Sequence, residues 1–403
     1  MTENRRPILI LFVSLFLVMV GFGIIIPVMP FYVRHFGGSA ATLGLLMASY
    51  SMMQFFCAPL WGRLSDLIGR RPVLLIGLSG YGVTFLLYGF SSALWMLFAT
   101  RIMAGLVSSA TLPTAMAYMA DITTKEDRAK GMGIMGASMG LGMIFGPATG
   151  GFLGHYSLSL PFFVAGGCAL LTIPFAWRFL PESMTPEALA EAQSRPRPAR
   201  RFSRETFAHP LLPLFLMAFA LSSSMSMFES TFALFSSDRV GLSTRDMGIM
   251  FGSLGVMGVF IQLRLLGKLV ARFGDLKVMA GGALLTALGF LLMLPAGHML
   301  TLWLACAVFS VGSTLLRPSV STMVTKISEG GQGAAVGMLQ SFDSLGRIVG
   351  PVVGGATYEL SSSAPNLLGT TMLVLLLAAN WPRLSQLAPL LAAHSGPPKP
   401  QNG

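Results

Sequence analysis

Residues 142–151 read GMIFGPATGG, and residues 346–355 read GRIVGPVVGG. Both stretches share the pattern Gly-x-x-x-Gly-Pro-x-x-Gly-Gly, and both lie inside apolar runs long enough to cross a membrane. Small residues four positions apart let two helix backbones approach closely, and proline removes a backbone hydrogen bond and bends its helix. The duplicated pattern therefore predicts, in each half of the chain, a bent and smooth-faced helix against which another helix slides or rocks. The alternative is close packing without motion.

The composition of the chain is that of a membrane protein. Of its 403 residues, 53% are hydrophobic and 11% are charged, whereas a soluble domain carries about 25% charged residues. Repeated apolar runs of about 20 residues are typical of membrane-spanning helices, which satisfy their own backbone hydrogen bonds in lipid. The sequence therefore predicts an all-α integral membrane protein.

Twelve spans are predicted from the apolar runs and the polar breaks between them. The first six cover residues 8–30, 40–61, 72–91, 94–117, 131–154 and 160–180. The second six cover residues 210–232, 245–266, 275–296, 299–322, 333–357 and 365–381. The last span has a short apolar core and is the weakest of the twelve. These spans give an N-terminal six-helix half (1–181), a polar and proline-rich cytoplasmic linker (182–209), and a C-terminal six-helix half with a cytoplasmic tail (210–403).

The basic residues indicate the orientation of the chain. With both termini in the cytoplasm, 21 of the 27 Lys and Arg residues fall in cytoplasmic segments, as the positive-inside rule expects. The exceptions are Arg34, Arg239 and Arg245, which lie outside, and Arg101, Arg317 and Arg347, which lie within spans. The net charge of +11 is thus a topology signal and does not indicate a nucleic-acid surface. The arginines between Arg195 and Arg204 are expected to meet anionic lipid.

The two halves of the chain are repeats. GRLSDLIGRRPVL at 62–74 corresponds to GKLVARFGDLKVM at 267–279, and Pro113 corresponds to Pro318. Internal six-span repeats are typical of secondary transporters, whose substrate site lies between the halves.

Four motifs together carry a family resemblance. They are GFGIIIPVMP at 21–30, GRLSDLIGRRPVL at 62–74, LFATRIMAGLVSSA at 97–110 and GMIFGPATGG at 142–151. In this order the chain resembles the major facilitator superfamily, and more narrowly its twelve-span drug:proton antiporters, which include tetracycline and quinolone exporters. The resemblance runs from the first span to about residue 357. It implies the major facilitator fold, with twelve transmembrane helices in two pseudo-symmetric halves, and export of drugs in exchange for protons by alternating access.

The resemblance also implies a conformational switch. It assigns the loop between spans two and three to locking one conformation, and the glycine helix to sealing and exchange. Asp66 would pair with an arginine or a helix N-terminus in one state only; the alternative is a solvated charge cluster. Ala271 stands at the corresponding position of the second half, so the switch is expected to be asymmetric. Its predicted residues are Gly62, Asp66, Gly69, Arg70, Arg71, Gly142, Gly146, Pro147, Gly150, Gly151, Gly346, Arg347, Gly350 and Pro351.

Arg101 is a charged residue within a span. Such a charge costs about 2.5–3.5 kcal/mol, and its repeat counterpart is Cys306. We expect Arg101 to tune a nearby proton-carrying group. The alternative is a structural hub that donates hydrogen bonds to backbone carbonyls.

Two carboxyl groups are candidates for proton coupling, because burial raises a carboxyl pKa towards neutrality. Glu229 is the first candidate, since it shares a helical face with Ser222, Met225 and Ser226; the alternative places it near the outer end of its span, open to water. Asp343 is the second. It shares a face of span eleven with Gln340 and with Arg347, whose i, i+4 pairing would make it structural, so both interpretations stay open.

Two further charges have structural interpretations. Asp121 is expected to be a helix-end charge. Arg317 could pair with a carboxylate, but the cytoplasmic interface is the favoured position for its head group.

Substrate binding is predicted only in outline. The 27 methionines and 29 phenylalanines can build a deformable apolar cavity for amphipathic ligands, although both types also face lipid. The two acidic residues favour cationic or zwitterionic cargo. The expected lining residues are Phe22, Gln54, Met116, Met225, Phe228, Glu229 and Gln340.

Several classes of function are disfavoured. The sequence contains no Gly-x-x-x-x-Gly-Lys-Ser/Thr loop, its histidines are scattered, and Cys57, Cys168 and Cys306 have no metal-site spacing. We therefore predict no enzyme activity, cofactor, metal or nucleic-acid partner, and a monomer of the bacterial cytoplasmic (inner) membrane driven by the proton gradient. The alternatives are an exporter of one endogenous metabolite, such as a siderophore, sugar or lipid precursor, and a non-transporting membrane sensor.

Overall fold

The computed structural model describes residues 5–124, 127–187, 189–190, 210–328 and 332–393. Within these residues the regular structure is helical and contains no strand. Eleven helices of the described part are long and apolar enough to cross a membrane. The predicted lipid contact of Arg195 to Arg204 falls outside the described residues.

The helices of the first half follow the predicted spans closely. They are α1 (Arg5–His35), α2 (Ala40–Ile68), α3 (Arg70–Gly89), α4 (Leu94–Ser108), α5 (Thr111–Ile122), α6 (Arg128–Tyr156) and α7 (Leu160–Phe179). The predicted fourth span is interrupted after Ser108, so α4 and α5 together make one crossing. Helix α2 begins at a cap where the Ser39 hydroxyl accepts from the Thr42 backbone N–H at 3.3 Å.

The helices of the second half extend beyond several predicted limits. They are α8 (Leu212–Val240), α9 (Thr244–Phe260), α10 (Leu266–Phe273), α11 (Asp275–Met293), α12 (Met299–Ile327), α13 (Gln332–Leu360), α14 (Ala364–Gln386) and α15 (Ala388–Ala393). A π-helix, Ile261–Leu265, joins α9 to α10. Helix α14 is one of the eleven membrane-length helices, so the weakest predicted span is a helix of crossing length.

The connection between α2 and α3 is a single residue. Gly69 has φ +100°, a left-handed conformation that favours glycine. Gly274 joins α10 to α11 in the same way with φ +81°. Asp66 therefore lies in the last turn of α2 and not in a loop, which corrects the prediction.

Two compact units account for the tertiary packing. One comprises Met1–Arg200 with Glu229–Gly255, and the other comprises Arg201–Phe228 with Val256–Gly403. The division passes through α8 between Phe228 and Glu229 and through α9 between Gly255 and Val256. The predicted boundaries of the six-helix halves and the linker stay a prediction.

Candidate functional site

The first glycine motif packs helix α6 directly on helix α1. A Cβ at Gly146 would lie 2.8 Å from the Gly23 Cα, and one at Gly150 would lie 2.9 Å from the Ile24 Cα. These neighbours are backbone atoms and cannot move aside as a flexible side chain can. The predicted close approach of two helix backbones is thus present, and α1 is the partner.

The same motif has a second face. A Cβ at Gly151 would lie 2.5 Å from the Gly248 Cα in α9, and one at Gly248 would lie 3.0 Å from the Pro147 carbonyl oxygen. The adjacent glycines of the motif therefore serve two different neighbours. Gly142 joins the first face, because its Cβ would lie 2.8 Å from the Phe16 carbonyl oxygen.

The second motif packs α13 on α8 in the equivalent way. A Cβ at Gly346 would lie 2.8 Å from the Phe219 carbonyl oxygen, and one at Gly350 would lie 3.0 Å from the Ser223 Cα. Pro351 lies inside α13, as Pro147 lies inside α6. In both halves the glycine helix is therefore apposed to the first helix of its own half.

The loop motif forms a charge cluster around Arg70. The Arg70 guanidinium donates to the Asp66 carboxylate at 2.5 Å and to the Asp121 carboxylate at 3.2 Å. It also donates to the Ser65 hydroxyl at 2.6 Å. Asp121 is the penultimate residue of α5, as predicted for a helix-end charge. Its contact with Arg70 was not evident from the sequence.

Glu182 caps helix α3 and was missed from the sequence. Its carboxylate accepts from the backbone N–H groups of Arg70 at 2.9 Å and Arg71 at 3.1 Å, which are unpaired donors at a helix N-terminus. The Arg71 guanidinium donates to the Trp177 carbonyl oxygen. Helices α2, α3 and α5, and α7 with the segment that follows it, therefore hold the cluster together.

Gly62, a predicted residue of the switch, lies in open space. A Cβ there would meet nothing within 4 Å.

Arg101 is enclosed by apolar and aromatic groups. It is 1% exposed, with one guanidinium nitrogen 3.4 Å from the Met47 sulfur and its centre 4.7 Å from the centre of the Tyr50 ring. Its Nε and Nη1 atoms have no hydrogen-bond partner within the described part of the chain. Hydrogen bonds from these two nitrogens to backbone carbonyls, the structural alternative, are therefore not found there.

Tyr50, over whose ring Arg101 lies, contacts further polar and aromatic groups. The Tyr50 hydroxyl lies 3.3 Å from the Ser108 hydroxyl, and the Phe22 ring centre lies 6.3 Å from the Tyr50 ring centre. Phe22 and Gln54 are half-buried. Met116 is also half-buried but packs against a core cluster that includes Tyr118.

Asp343 lies in an ion cluster drawn from three helices. Its carboxylate is 3.0 Å from the Arg347 guanidinium and 3.8 Å from that of Arg317, and it accepts from the Ser222 hydroxyl. Arg317 also donates to Ser222 at 3.3 Å. The i, i+4 pair is as predicted, whereas Arg317 faces a carboxylate, which corrects its favoured position at the interface. Gln340 is exposed.

Glu229 lies near the middle of α8. It is half-buried and stands 11 residues before Val240, where the helix ends, a rise of about 16 Å. The helix continues past residue 232, where the span was predicted to end, to Val240. Both interpretations of Glu229, as a proton carrier and as a water-exposed carboxylate near the outer end of its span, stay predictions. Met225 on the same face is half-buried. Phe228 is 3% exposed, with its ring centre 4.5 Å from that of Phe309, so it belongs to a packed aromatic cluster.

Arg34 and Asp238 form an ion pair that the sequence did not reveal. Both guanidinium nitrogens lie 2.7 Å from the two carboxylate oxygens, and the side chains are 40% and 42% exposed. The pair joins the end of α1 to the end of α8. It is bidentate, the geometry that gives such pairs directional specificity.

Membrane-length helices in repeated order, closely packed glycine helices and buried charges are typical of a polytopic transporter. The chain belongs to the Major Facilitator Superfamily, whose model matches residues 11–265 and 264–387. It is 32% identical over 376 residues to "Multidrug resistance protein 1" of Bacillus subtilis (strain 168), covering 93% of this chain and 95% of that one. It is 26% identical over 361 residues to "Quinolone resistance protein NorA" of Staphylococcus aureus (strain COL), covering 90% and 92%.

Solved structures show the same fold. The structure of a bacterial homologue of the human lysosomal transporter Spinster superposes with a TM-score of 0.76 at 16% identity, covering 97% of this chain and 98% of that one. The predicted major facilitator fold is confirmed, as is the family resemblance. The chain is therefore a multi-pass membrane protein of a transporter family.

Proposed function

We propose that the protein exports amphipathic, cationic or zwitterionic small molecules in exchange for protons, as a monomer of a bacterial cytoplasmic membrane with both termini inside. Export is supported by relatives named for multidrug and quinolone resistance over more than nine-tenths of the chain. The observation that carries proton coupling is a half-buried carboxyl group, Glu229, near the middle of a membrane-length helix.

Glu229 is the first candidate for the proton carrier. A carboxyl group at this depth is costly to keep charged, and such residues in membrane proteins serve proton relays and ion paths. Met225 on the same helical face is half-buried and offers a deformable apolar contact beside it. Protonation of Glu229 and release of a bound cation would then exclude each other, which is the requirement for antiport.

Asp343 is the second candidate, with a different role. Two guanidinium groups and one hydroxyl stabilise its carboxylate form. It would accept a proton only in a conformation that removes one of these partners. Asp343 therefore reports the conformational state, whereas Glu229 contacts proton and cargo.

The energy supply is adequate for such a cycle. One elementary charge crossing a potential of 100 mV releases about 2.3 kcal/mol. One or two protons per cycle would therefore sustain a substantial gradient of cargo without nucleotide hydrolysis.

Efflux of a fluorescent lipophilic cation tests the proposal. Cells expressing the protein, Glu229→Gln or Glu359→Gln are loaded with ethidium and followed with and without a protonophore. Glu359 lies exposed at the end of α13 and supplies the matched control for loss of one carboxylate.

We expect protonophore-sensitive efflux in the parent and in Glu359→Gln, and loss of efflux in Glu229→Gln. Intact efflux in Glu229→Gln would move the proton site to Asp343, which Asp343→Asn then tests. If no cation is exported, neutral and anionic compounds are tried next, because the protein would then export one specific metabolite. Absence of any gradient-dependent flux would favour the non-transporting sensor.

A further inference from the structure

A further ion pair lies at the start of α11. The Lys326 ammonium is 2.7 Å from the Asp275 carboxylate. The Asp275 side chain is 4% exposed and that of Lys326 is 27% exposed. The pair joins the first residue of α11 to the last turn of α12.

This pair occupies the same repeat positions as the Arg70–Asp121 pair, with the charges exchanged. Gly69 and Gly274, both left-handed, fix the correspondence. Arg70 and Asp275 each follow that glycine, and Asp121 and Lys326 are each the penultimate residue of the helix that ends the fourth crossing of their half. The cation and the anion have therefore changed places between the halves.

The exchange of charges changes the electrostatic interaction between each pair and the dipoles of the helices on which it lies. Anions are favoured at a helix N-terminus and cations at a C-terminus. Asp275 begins α11 and Lys326 ends α12, so both charges suit their helices. Arg70 begins α3 and Asp121 ends α5, so both charges oppose theirs.

The Arg70–Asp121 pair therefore needs compensating groups from other residues. Glu182 supplies the anion at the start of α3, and Asp66 and Ser65 supply further acceptors for Arg70. Without these groups, the Arg70 cation would face the positive end of the α3 dipole with less compensation. The second-half pair combines the favoured helix ends with deeper burial of its carboxylate.

We propose that Asp275 and Lys326 form a permanent staple between α11 and α12, whereas the Arg70 cluster opens and closes. Movement at the cytoplasmic ends of the third and fourth crossings is then confined to the first half. This inference rests on the proposed alternating-access transport. Breaking the buried pair also leaves an uncompensated carboxylate within the protein, which opposes its opening during a cycle.

Chemical cross-linking tests whether each pair opens. Asp275→Cys with Lys326→Cys, and separately Arg70→Cys with Asp121→Cys, are placed in a background whose three native cysteines are replaced by alanine. In proteoliposomes, each is treated with bis-methanethiosulfonate reagents of increasing length. Mass spectrometry gives the cross-linked fraction, and cation transport is measured before cross-linking, after it, and after reduction.

Cross-linking the Asp275 and Lys326 positions is expected to succeed and to leave transport within about twofold, whereas cross-linking the Arg70 and Asp121 positions lowers it about tenfold or more. Reduction of the cross-link is expected to restore transport by the variant with cysteines at positions 70 and 121. Reversible loss of transport at the Asp275 and Lys326 positions would overturn the proposal, as would unchanged transport when the Arg70 and Asp121 positions are joined. Failure of every reagent at the Asp275 and Lys326 positions would also count against it.

Melting temperatures keep the proposal testable if a cysteine variant misfolds or if no tested compound is transported. Lys326→Met is expected to lower the melting temperature more than Asp275→Asn, because only the former leaves a buried carboxylate unpaired. Exchanging the two charges, Asp275→Lys with Lys326→Asp, recovers part of the loss. Arg34→Gln at the exposed pair is the control and changes little. Equal and negligible shifts at all three positions would refute a staple.

Discussion

At the scale of single residues, the buried charges differ in how they are neutralised. Asp343 has two arginines within 4 Å, whereas two nitrogens of Arg101 lack partners in the described part of the chain. A buried ion without a partner destabilises the fold. We therefore expect the role of Arg101 to lie in transport, since two of its nitrogens contribute no hydrogen bond to the described fold.

Replacing Arg101 by methionine separates these two roles. Arg101→Met is expected to abolish coupled efflux while leaving the melting temperature unchanged or higher, because a buried charge is exchanged for an apolar chain of similar length. Thermal unfolding and ethidium efflux are measured on the same preparation. Ile102→Met, at a neighbouring exposed residue, controls for a methionine at this depth. A large fall in melting temperature would show that Arg101 is a structural hub.

The sequence reveals some of these residues and not others. Arg101 stands out because a charge in an apolar run is rare, and Asp343 with Arg347 follows from helical spacing. Arg317 and Ser222 reach Asp343 from other helices, and Glu182 reaches α3 from more than 100 positions away. No periodicity links such residues, so only the fold brings them together.

At the scale of helices, the glycine motif decides how closely α6 and α1 approach. Gly146→Ala is expected to destabilise the protein by about 1–3 kcal/mol, since its Cβ would meet backbone atoms of α1 that cannot yield. Gly140→Ala in the same helix is the control. A Cβ there meets nothing within 4 Å, so the change is neutral or slightly stabilising. Thermal unfolding in detergent compares them; equal behaviour of both variants would contradict the packing argument.

Helix positions are well predicted from hydropathy, but their interruptions are not. Lipid demands long apolar helices, so the crossings follow from composition. The break after Ser108 and the π-helix Ile261–Leu265 lie inside apolar runs, where an averaged hydropathy has no signal. The extension of α8 to Val240 was missed because its last residues are polar.

At the scale of the whole molecule, one ion pair joins equivalent positions of the two repeats. Gly37 and Gly241, with φ +73° and +72°, occupy corresponding positions. Arg34 and Asp238 each stand three residues earlier, so the ion pair joins a residue to its own repeat counterpart. With identical halves, like charges would meet here.

The Arg34–Asp238 pair is expected to influence conformational balance and not stability. An exposed pair is worth about 0–1 kcal/mol, so Asp238→Asn would change the initial efflux rate by up to about fivefold. The change disappears at high salt, which screens exposed charges. Arg34→Asp with Asp238→Arg restores the parent rate in proteoliposomes. A large fall in melting temperature for Asp238→Asn would instead assign the pair to the core fold.

The overall fold was predictable because the two halves repeat and because membrane spans have few alternatives. Division of the packing within α8 and α9 was not, since it depends on contacts between helices distant in sequence. The sequence shows that the halves differ in charge, because Ala271 stands at the position equivalent to Asp66. It does not show that Asp275 pairs with Lys326, which only the fold brings together.

The π-helix lies in the stretch where the two halves differ in length by one residue. Before it, Ser39 and Gly37 match Ser243 and Gly241 at a separation of 204 positions; after it, Gly62 and Gly69 match Gly267 and Gly274 at 205. The second half is thus one residue longer than the first between these points, and Ile261–Leu265 forms a π-helical turn there. The extra residue lies within the crossing, so Gly267 and Gly274 follow it with the same spacing as Gly62 and Gly69 in the first half.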